Sequence, residues 1–307
     1  MSLRLGVDLG GTKIEIVAID AAGTVRARRR VPTPRGDYAG TVAAIVGLVR
    51  AVESELDGRG SLGIGIPGAL APRTGLVRNA NSVCLIGKPL KAELEEALQR
   101  EIRIENDANC FAVAEAQAGG AAEGLSTVFG VILGTGVGGG LVVEGRVLRG
   151  ANAIAGEWGH NPLPLFASAE ARPGQATREW PGEPCFCGHR GCIETWLSGP
   201  ALARLAGRRD DDAAAVVAAA QAGEPRALVA MTDYIDRLAR ALASVINLVD
   251  PQAIVLGGGM SQAEPLYQAV PARWVRYVFA ESVNTRLLRN RLGDSAGVFG
   301  AARLWPV

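Results

Sequence analysis

Short apolar runs that end at glycine alternate along the chain with longer segments of helical periodicity. The run LRLGVDL is followed by glycines and by KIEIVAID, which predicts two strands joined by a turn. The apolar positions of TVAAIVGLVRAVESEL recur at helical spacing and predict an amphipathic helix. SLGIGIPG predicts a buried strand leading into a loop, and IRIEND predicts a strand that runs into the helix ANCFAVAEAQAG.

The same plan occurs a second time further along the chain. STVFGVIL predicts a strand, GTGVGGG a glycine turn and LVVEGRVL a hairpin. The later segments predict a helix at TDYIDRLARALASVINLV, a buried strand at AIVLGGG and a short helix at AGVFGAARLW. The repetition predicts two α/β domains that face each other across a cleft, which we place at residues 1–118 and 119–290.

Composition excludes several classes of protein. The 307 residues carry a formal net charge of +1 and 21% charged residues, which is not the balance of a nucleic-acid-binding protein. The opening MSLRLGVDLGG lacks the pattern of a signal peptide, and no uninterrupted apolar segment reaches the roughly 18 residues of a membrane span. We therefore expect a cytoplasmic protein with reduced thiols and without a membrane or nucleic-acid partner.

Three of the five cysteines lie within the eight residues CFCGHRGC, as Cys185, Cys187 and Cys192. Reduced thiols make disulfides the weakest explanation, and three thiolates on a glycine-containing loop can point at one metal ion. A closed zinc site takes four Cys or His ligands. His189 lies inside the loop, but we favour His160 as the fourth ligand because the crowded loop leaves little room for another.

The alternative for these cysteines is that they are small buried apolar residues, with His160 a surface histidine. For Cys84 and Cys110 we expect core packing alone.

Glycine-rich turns carry the second candidate chemistry. DLGGTK lacks the spacing of a P-loop, and GTGVGG fits G-x-G-x-x-G but is followed by a strand-like segment rather than a helix. Both are predicted hairpin turns whose backbone N–H groups could converge on an anion. Two such turns could hold one polyphosphate, with Gly257–Gly259 near the nucleoside. The alternative is that tight hairpins simply favour glycine.

DLGGTK, NDAN, GTGVGGG, GEWGH and CFCGHRGCIE occur in this order, and together they resemble the ROK family of sugar kinases and repressors. VPTPRGDY, NANS, GEWGHNPLP and FGAARLWP are similar to bacterial fructokinases (manno-fructokinases) of that family. The resemblance implies an actin-like, ribonuclease H-like duplicated α/β fold with an interdomain cleft. It also implies a C-terminal helix, at about 291–307, that packs back on the first domain, and a homodimer.

The resemblance also assigns roles to residues. It implies that Asp107 is the catalytic base, and this position at a strand-to-helix junction could also cap the helix. Sugar contacts are implied for Gly68, Asn81, Asn106, Asp107, Glu157, His160 and Glu194. Nucleotide contacts are implied for Asp8, Gly10, Gly11, Thr12, Lys13, Gly134, Thr135, Gly136, Gly257, Gly258 and Gly259, with Asp8 positioning Mg²⁺. Structural zinc ligands are implied at His160, Cys185, Cys187 and Cys192, and no role is implied for His189.

These assignments predict an ATP-dependent sugar kinase that uses Mg²⁺ and converts D-fructose to fructose 6-phosphate. A kinase for N-acetylglucosamine, glucose or mannose is the main alternative, because the family motifs do not distinguish these substrates. A ROK-type repressor is a remote alternative, since the first glycine turn comes too early for a preceding helix-turn-helix. The glycine turns and Asp107 argue against a catalytically silent sugar-binding protein.

Overall fold

The computed structural model describes residues 3–80, 82–165, 179–208 and 212–305. The strands are β1 (Leu3–Leu9), β2 (Lys13–Ile19), β3 (Val25–Pro32), β4 (Gly60–Ile66), β5 (Ala69–Leu70), β6 (Val77–Arg78), β7 (Ile102–Asn106), β8 (Thr127–Leu133), β9 (Val137–Val143), β10 (Arg146–Val147), β11 (Ala253–Gly257) and β12 (Arg286–Arg289). The helices are α1 (Tyr38–Glu55), α2 (Leu90–Leu98), α3 (Asp107–Ala116), α4 (Glu194–Leu197), α5 (Gly199–Leu205), α6 (Ala213–Gln221), α7 (Pro225–Val249), α8 (Leu266–Trp274) and α9 (Ala296–Ala302).

The chain divides into two compact units. The first contains residues 1–126, 140–155 and 291–307, and the second contains 127–139 and 156–290. One five-stranded sheet has the order β3-β2-β1-β4-β7, and the other has the order β10-β9-β8-β11-β12. In the first, β1, β4 and β7 pair in parallel, as β8, β11 and β12 do in the second. The predicted α/β duplication is therefore confirmed.

In the first unit, α1 and α2 pack with the sheet in one apolar core. That core joins Ile45 and Val49 of α1 and Leu94 of α2 to the buried residues of β1, β2, β4 and β7. Helix α9 packs against β1, β2 and β4 and against α3. A Cβ atom on Gly63 would overlap the carbonyl oxygen of Ala301, so only glycine allows this close approach of α9.

The residues after α9 are tied to the same sheet. The indole Nε1–H of Trp305 donates to the carbonyl of Leu62 at 2.7 Å, and the guanidinium of Arg103 lies 4.1 Å from the Trp305 ring. Arg103 also donates to the carbonyl of Leu304 at 2.5 Å. Residues 304–305 are therefore fixed to β4 and β7, the strands that lead towards Asn106.

The second unit is built around α7, which buries one long face against α6 and α8. The Tyr234 hydroxyl of α7 donates to the carbonyl of Leu197 at 2.8 Å, which secures the short helix α4. Strand β11 is buried at every position. Among the described residues, none of the helices is both long and apolar enough to cross a membrane.

Two element boundaries differ from the sequence prediction. Helix α7 begins at Pro225, seven residues earlier than its most regular segment, because proline is well suited to a first helical turn. Gly138–Gly140 lie inside β9 rather than in the turn. A Cβ atom on Gly139 would lie 2.7 Å from the Trp158 indole, so these glycines serve close packing as well as turn formation.

Candidate active site

Asp107 is the first residue of α3, where β7 ends. The helix cap is Asn106, whose Oδ1 accepts from the backbone N–H of Ala108 at 2.9 Å and of Asn109 at 3.4 Å. Ala108 N–H also donates to the Asp107 carboxylate at 2.9 Å. The sequence suggested Asp107 as a cap, but the backbone turns one residue earlier and gives that role to Asn106.

Asn106 also joins the helix start to the loop after β4. Its Nδ2 donates to the carbonyl of Gly68 at 3.2 Å. Gly68 has a φ of 140°, and a Cβ atom there would lie 2.7 Å from the carbonyl oxygen of Arg78, so glycine is required. Gly68, Asn106 and Asp107 are thus brought together, whereas Asn81 lies outside the described residues.

The first glycine turn joins β1 to β2 at the same end of the sheet. Gly10 N–H donates to the carbonyl of Lys13 at 3.0 Å and closes the hairpin, which commits that amide to the turn. Gly11, Thr12 and Lys13 are exposed. Because β1, β4 and β7 are parallel neighbours, the turn lies at the edge of the sheet where β7 delivers Asp107.

Asp8 is a half-buried carboxylate at this edge. Burial, followed by the negative charges of Asp107 and Glu15, raises its pKa from 3.8 to about 6, against the opposing effect of Lys13. Glu15 is the cross-strand neighbour of Asp8 and forms ion pairs with Arg28 and Arg30. A cation bound beside Asp8 would relieve this repulsion, so the arrangement fits a Mg²⁺ site.

A buried polar network behind Asp107 was missed from the sequence. Asn109 Nδ2 donates to Glu105 Oε2 at 3.1 Å, and Glu105 also pairs with Arg149. Both Glu105 and Asn109 are buried, so the network fixes the end of β7 to the first turn of α3. Their places beside Asn106 and Asp107 in ENDAN are the only sequence signal.

The second glycine turn, Gly134–Gly136, joins β8 to β9 in the second unit. The Glu194 carboxylate accepts from Val137 N–H at 2.9 Å, directly after the turn. A Cβ atom on Gly136 would lie 2.6 Å from Glu194 Oε2, so glycine permits this contact. Glu194, which is predicted to contact a sugar, therefore also supports the predicted phosphate turn. Thr135 is exposed at the tip of this turn.

The third glycine segment follows β11, the parallel neighbour of β8. Gly257 is buried as the last residue of the strand, while Gly258 and Gly259 are exposed. Gly258 has a φ of 75°, and a Cβ atom there would lie 2.5 Å from the carbonyl oxygen of Leu133. Within the second unit, Gly134–Gly136 and Gly257–Gly259 thus follow adjacent strand ends.

Glu157 and His160 bracket a short 3-10 turn at Trp158–His160. The Trp158 indole donates to the carbonyl of Gly138 at 3.0 Å and meets Phe129 edge-on at 5.9 Å. Glu157 and His160 are half-buried. The tryptophan therefore anchors the turn to β9 and sets the position of both polar side chains.

The side chains of His160, Cys185, Cys187 and Cys192 form a cluster whose ligand atoms all lie within 4.8 Å of one another. His160 Nδ1 lies 3.6 Å from Cys185 Sγ, and Cys187 Sγ lies 3.6 Å from Cys192 Sγ. A tetrahedral zinc ion with Zn–S bonds of about 2.3 Å would separate its sulfur ligands by about 3.8 Å. The number, type and spacing of the donors therefore fit zinc.

Backbone hydrogen bonds hold the two loops of this cluster together. Ile193 N–H donates to the carbonyl of Asn161 at 2.9 Å, and Leu163 N–H donates to that of Gly191 at 3.0 Å. His189 lies outside the four-atom cluster, although its Nδ1 is 3.5 Å from Cys187 Sγ. The protein scaffold thus arranges the donors by its own hydrogen bonds, which favours metal binding.

Comparison with known proteins establishes the family. A model of the ROK family matches residues 4–307. The N-acetyl-D-glucosamine kinase of Yersinia pseudotuberculosis is 40% identical over 302 residues, covering 97% of each chain. The ROK hexokinase of Thermus thermophilus shares 34% identity at a TM-score of 0.83 and covers 98% of this chain and 97% of its own. A ROK family glucokinase from Streptomyces griseus, solved with glucose and AMPPNP, shares 29% identity at a TM-score of 0.75 over 99% of each chain.

The chain belongs to the ROK family, and the prediction of an ATP-dependent sugar kinase is confirmed. The narrower fructokinase prediction is not supported, because the relatives are named N-acetyl-D-glucosamine kinases. Two of the segments that suggested fructokinase have structural roles. VPTPRGDY ends β3 and supplies the Asp37 cap of α1, and FGAARLWP contains α9 and the Trp305 anchor.

The raised pKa of Asp8 predicts a pH-dependent gain in stability for Asp8→Asn. Because the folded-state pKa of about 6 exceeds the ordinary value of 3.8 for an aspartate, ionisation of this group destabilises the folded state as the pH rises between these values. In Mg²⁺-free buffer the variant should melt several degrees above the wild type at pH 7.5, and the gap should shrink towards pH 4.

The control is Asp57→Asn, at an exposed turn, which should show no such pH-dependent gain. Equal melting temperatures of wild type and Asp8→Asn at pH 7.5, or a gain that persists at pH 4, would contradict the assignment of a destabilising carboxylate.

Proposed function

We propose that this chain transfers the γ-phosphoryl group of ATP to a hydroxyl group of N-acetyl-D-glucosamine. The observation that carries the proposal is the 40% identity to the Yersinia kinase over 97% of both chains. The match is long enough to include residues of both units. N-Acetyl-D-glucosamine thereby replaces D-fructose as the first substrate to test.

In the proposed reaction the sugar hydroxyl oxygen forms a bond to the γ-phosphorus. The bond from this phosphorus to the bridging oxygen breaks, and ADP leaves. The carboxylate of Asp107 orients the hydroxyl and accepts its proton. Support comes from the position of Asp107 at the start of α3, where the Ala108 N–H and the Asn106 cap restrict its orientation.

The glycine turns are the proposed phosphate-binding elements. Gly10–Lys13 and Gly134–Gly136 follow the ends of equivalent strands in the two sheets, and their exposed residues can donate backbone N–H groups to phosphate oxygens. Gly257–Gly259 is the proposed approach to the nucleoside. Mg²⁺, when bound, would neutralise phosphate charge, and Asp8 is the residue that we propose holds it through water.

The cysteine cluster is the proposed structural zinc site, with His160, Cys185, Cys187 and Cys192 as ligands. The metal would tie the segment of Glu157 and His160 to that of Glu194. His160 presents Nδ1 to the cluster, so its Nε2 is the nitrogen left to donate to a sugar oxygen. The proposed sugar contacts are Glu157, His160 and Glu194 together with Gly68, Asn81, Asn106 and Asp107.

A substrate panel tests the proposed specificity. ADP release should be measured with MgATP and N-acetyl-D-glucosamine, glucose, mannose or fructose in turn. We expect kcat/KM for N-acetyl-D-glucosamine to exceed that for each other sugar by at least about tenfold, the scale of one hydrogen bond. A higher kcat/KM for fructose would restore the interpretation drawn from the sequence, and one for glucose or mannose would make the chain a hexokinase.

Asp107→Ala tests the proposed base. General-base catalysis contributes about 10²–10⁴-fold, so turnover should fall by at least about a hundredfold. The dissociation constant for N-acetyl-D-glucosamine, measured by calorimetry, should stay within about threefold because the sugar keeps its other contacts. Asp107→Asn, which keeps the size of the side chain, should lose turnover equally; a kcat near the wild-type value would exclude Asp107 as base.

The zinc proposal predicts one zinc ion per chain by mass spectrometry of the purified protein. Cys192→Ser should lose the metal, and both the melting temperature and the affinity for N-acetyl-D-glucosamine should fall, because the two loops that carry the sugar contacts lose their common anchor. The matched control is Cys84→Ser, outside the cluster, which should retain zinc. Full stability and sugar affinity in a zinc-free protein would refute the structural role.

A further inference from the structure

A cavity of about 330 Å³ lies in the first unit beside the glycine turn. Its walls come from the end of β1 and the turn, the loop from Thr33 to Gly36, the first turn of α1, and the segment Ser82–Leu85. The volume is at the lower end of the range of small-molecule sites, which begins at about 300 Å³. Of its lining residues, Gly11 alone carries a role assigned above.

The cavity is close to the proposed sugar contacts of this unit. It includes Gly11 of the phosphate turn. Ser82, on another wall, follows Ala80 by two residues, and Ala80 lies 3.0 Å from the position of a Cβ atom on Gly68. Gly68 in turn accepts the hydrogen bond from Asn106, beside Asp107. A substituent of a sugar held by these groups therefore has the cavity next to it.

Two hydroxyl groups of the cavity residues already use their hydrogen atoms. Thr33 Oγ1 donates to the carbonyl of Gly10 at 2.7 Å, and Thr41 Oγ1 donates to the carbonyl of Asp37 at 2.7 Å. A hydroxyl has one hydrogen but two acceptor lone pairs. What these oxygens can offer a ligand is an acceptor, which suits an N–H or O–H group and does not suit an anion.

Apart from Ser82 and one cation, the rest of the lining is apolar. Leu9 and Leu85 are buried beneath the cavity, and Val83 is 74% exposed at its edge. Arg35, an exposed residue, supplies a guanidinium donor. The residues thus combine a hydroxyl acceptor, apolar surface and a charged donor.

An acetamido group presents the complement of this set. Its N–H donates, its methyl group is apolar, and its carbonyl oxygen accepts. A plain hydroxyl of glucose, mannose or fructose can also donate to the acceptor, but it has no methyl group to cover the apolar surface. The cavity therefore distinguishes an N-acetylated sugar from a simple hexose by chemistry rather than by size.

We propose that this cavity is the acetamido subsite, in which the Thr33 hydroxyl accepts from the amide N–H and Arg35 donates to the amide carbonyl. The proposal rests on the proposed N-acetyl-D-glucosamine kinase function and names the residues that select its substrate. Sites built to hydrogen-bond a substrate group discriminate strongly against analogues that lack the group.

The test compares the dissociation constants of N-acetyl-D-glucosamine and glucose, measured by calorimetry on the full chain. In the wild type the N-acetyl sugar should bind more tightly. The measured quantity is the dissociation constant of glucose divided by that of N-acetyl-D-glucosamine. Arg35→Met should reduce this ratio by about tenfold, the scale of a hydrogen bond to a charged group, and Arg35→Lys should restore part of it. Arg35 is exposed, so its replacement should leave the fold intact.

Thr33→Val, which removes the hydroxyl, should lower the same ratio. The matched control is Thr33→Ser, which keeps the hydroxyl. A ratio unchanged in both Arg35→Met and Thr33→Val would overturn the subsite while leaving the kinase proposal in place. An equal loss of affinity for both sugars would also overturn it, since it would place the effect in the Gly10 turn that Thr33 supports. A wild type that binds glucose better than N-acetyl-D-glucosamine would instead refute the proposed function.

Discussion

The proximity of two carboxylates at one edge of a sheet is the constraint on which the first unit depends. Parallel pairing of β1 with β4 and of β4 with β7 brings Asp8 and the residue after β7, Asp107, to the same edge. Arg28 and Arg30 compensate the neighbouring Glu15, whereas Asp8 keeps a pKa of about 6. Such uncompensated charge is typical of sites that bind a cation or transfer protons, and the glycine turn beside it is the proposed phosphate-binding element.

The second unit uses a carboxylate differently. Glu194 follows Cys192 by two residues and accepts a hydrogen bond from Val137, so it links the cysteine loop to the glycine turn at Gly134–Gly136. Any shift of the cysteine loop must therefore move or break the support of that turn. A metal held by the cluster would act on both at once, because its ligands and Glu194 belong to one hydrogen-bonded segment.

The sequence predicts elements whose signal is local. The paired strands around each glycine turn, the strand-to-helix step at Asp107 and the core of α7 all follow from periodicity and punctuation. Strand β3, VRARRRVP, was not predicted, because it is an edge strand that buries only Ala27. The contact of Glu194 with Val137 and that of Glu105 with Arg149 join residues 57 and 44 positions apart, and no local pattern encodes them.

The same distinction explains why chemistry could be predicted from the sequence while the sugar could not. The motifs NDAN, DLGGTK and GTGVGGG supply the proposed base and the two proposed anion-binding turns, which serve the positioning and charge neutralisation of phosphoryl transfer. Discrimination between sugars depends on groups away from the reacting hydroxyl, and the motifs shared by the family do not distinguish those groups. Thr33 and Arg35, the proposed acetamido contacts, lie between β3 and α1 in VPTPRGDY, a segment whose likeness to fructokinases indicated a different sugar. Their chemistry becomes visible only when the hydrogen bond from Thr33 to Gly10 shows which lone pairs remain for a ligand.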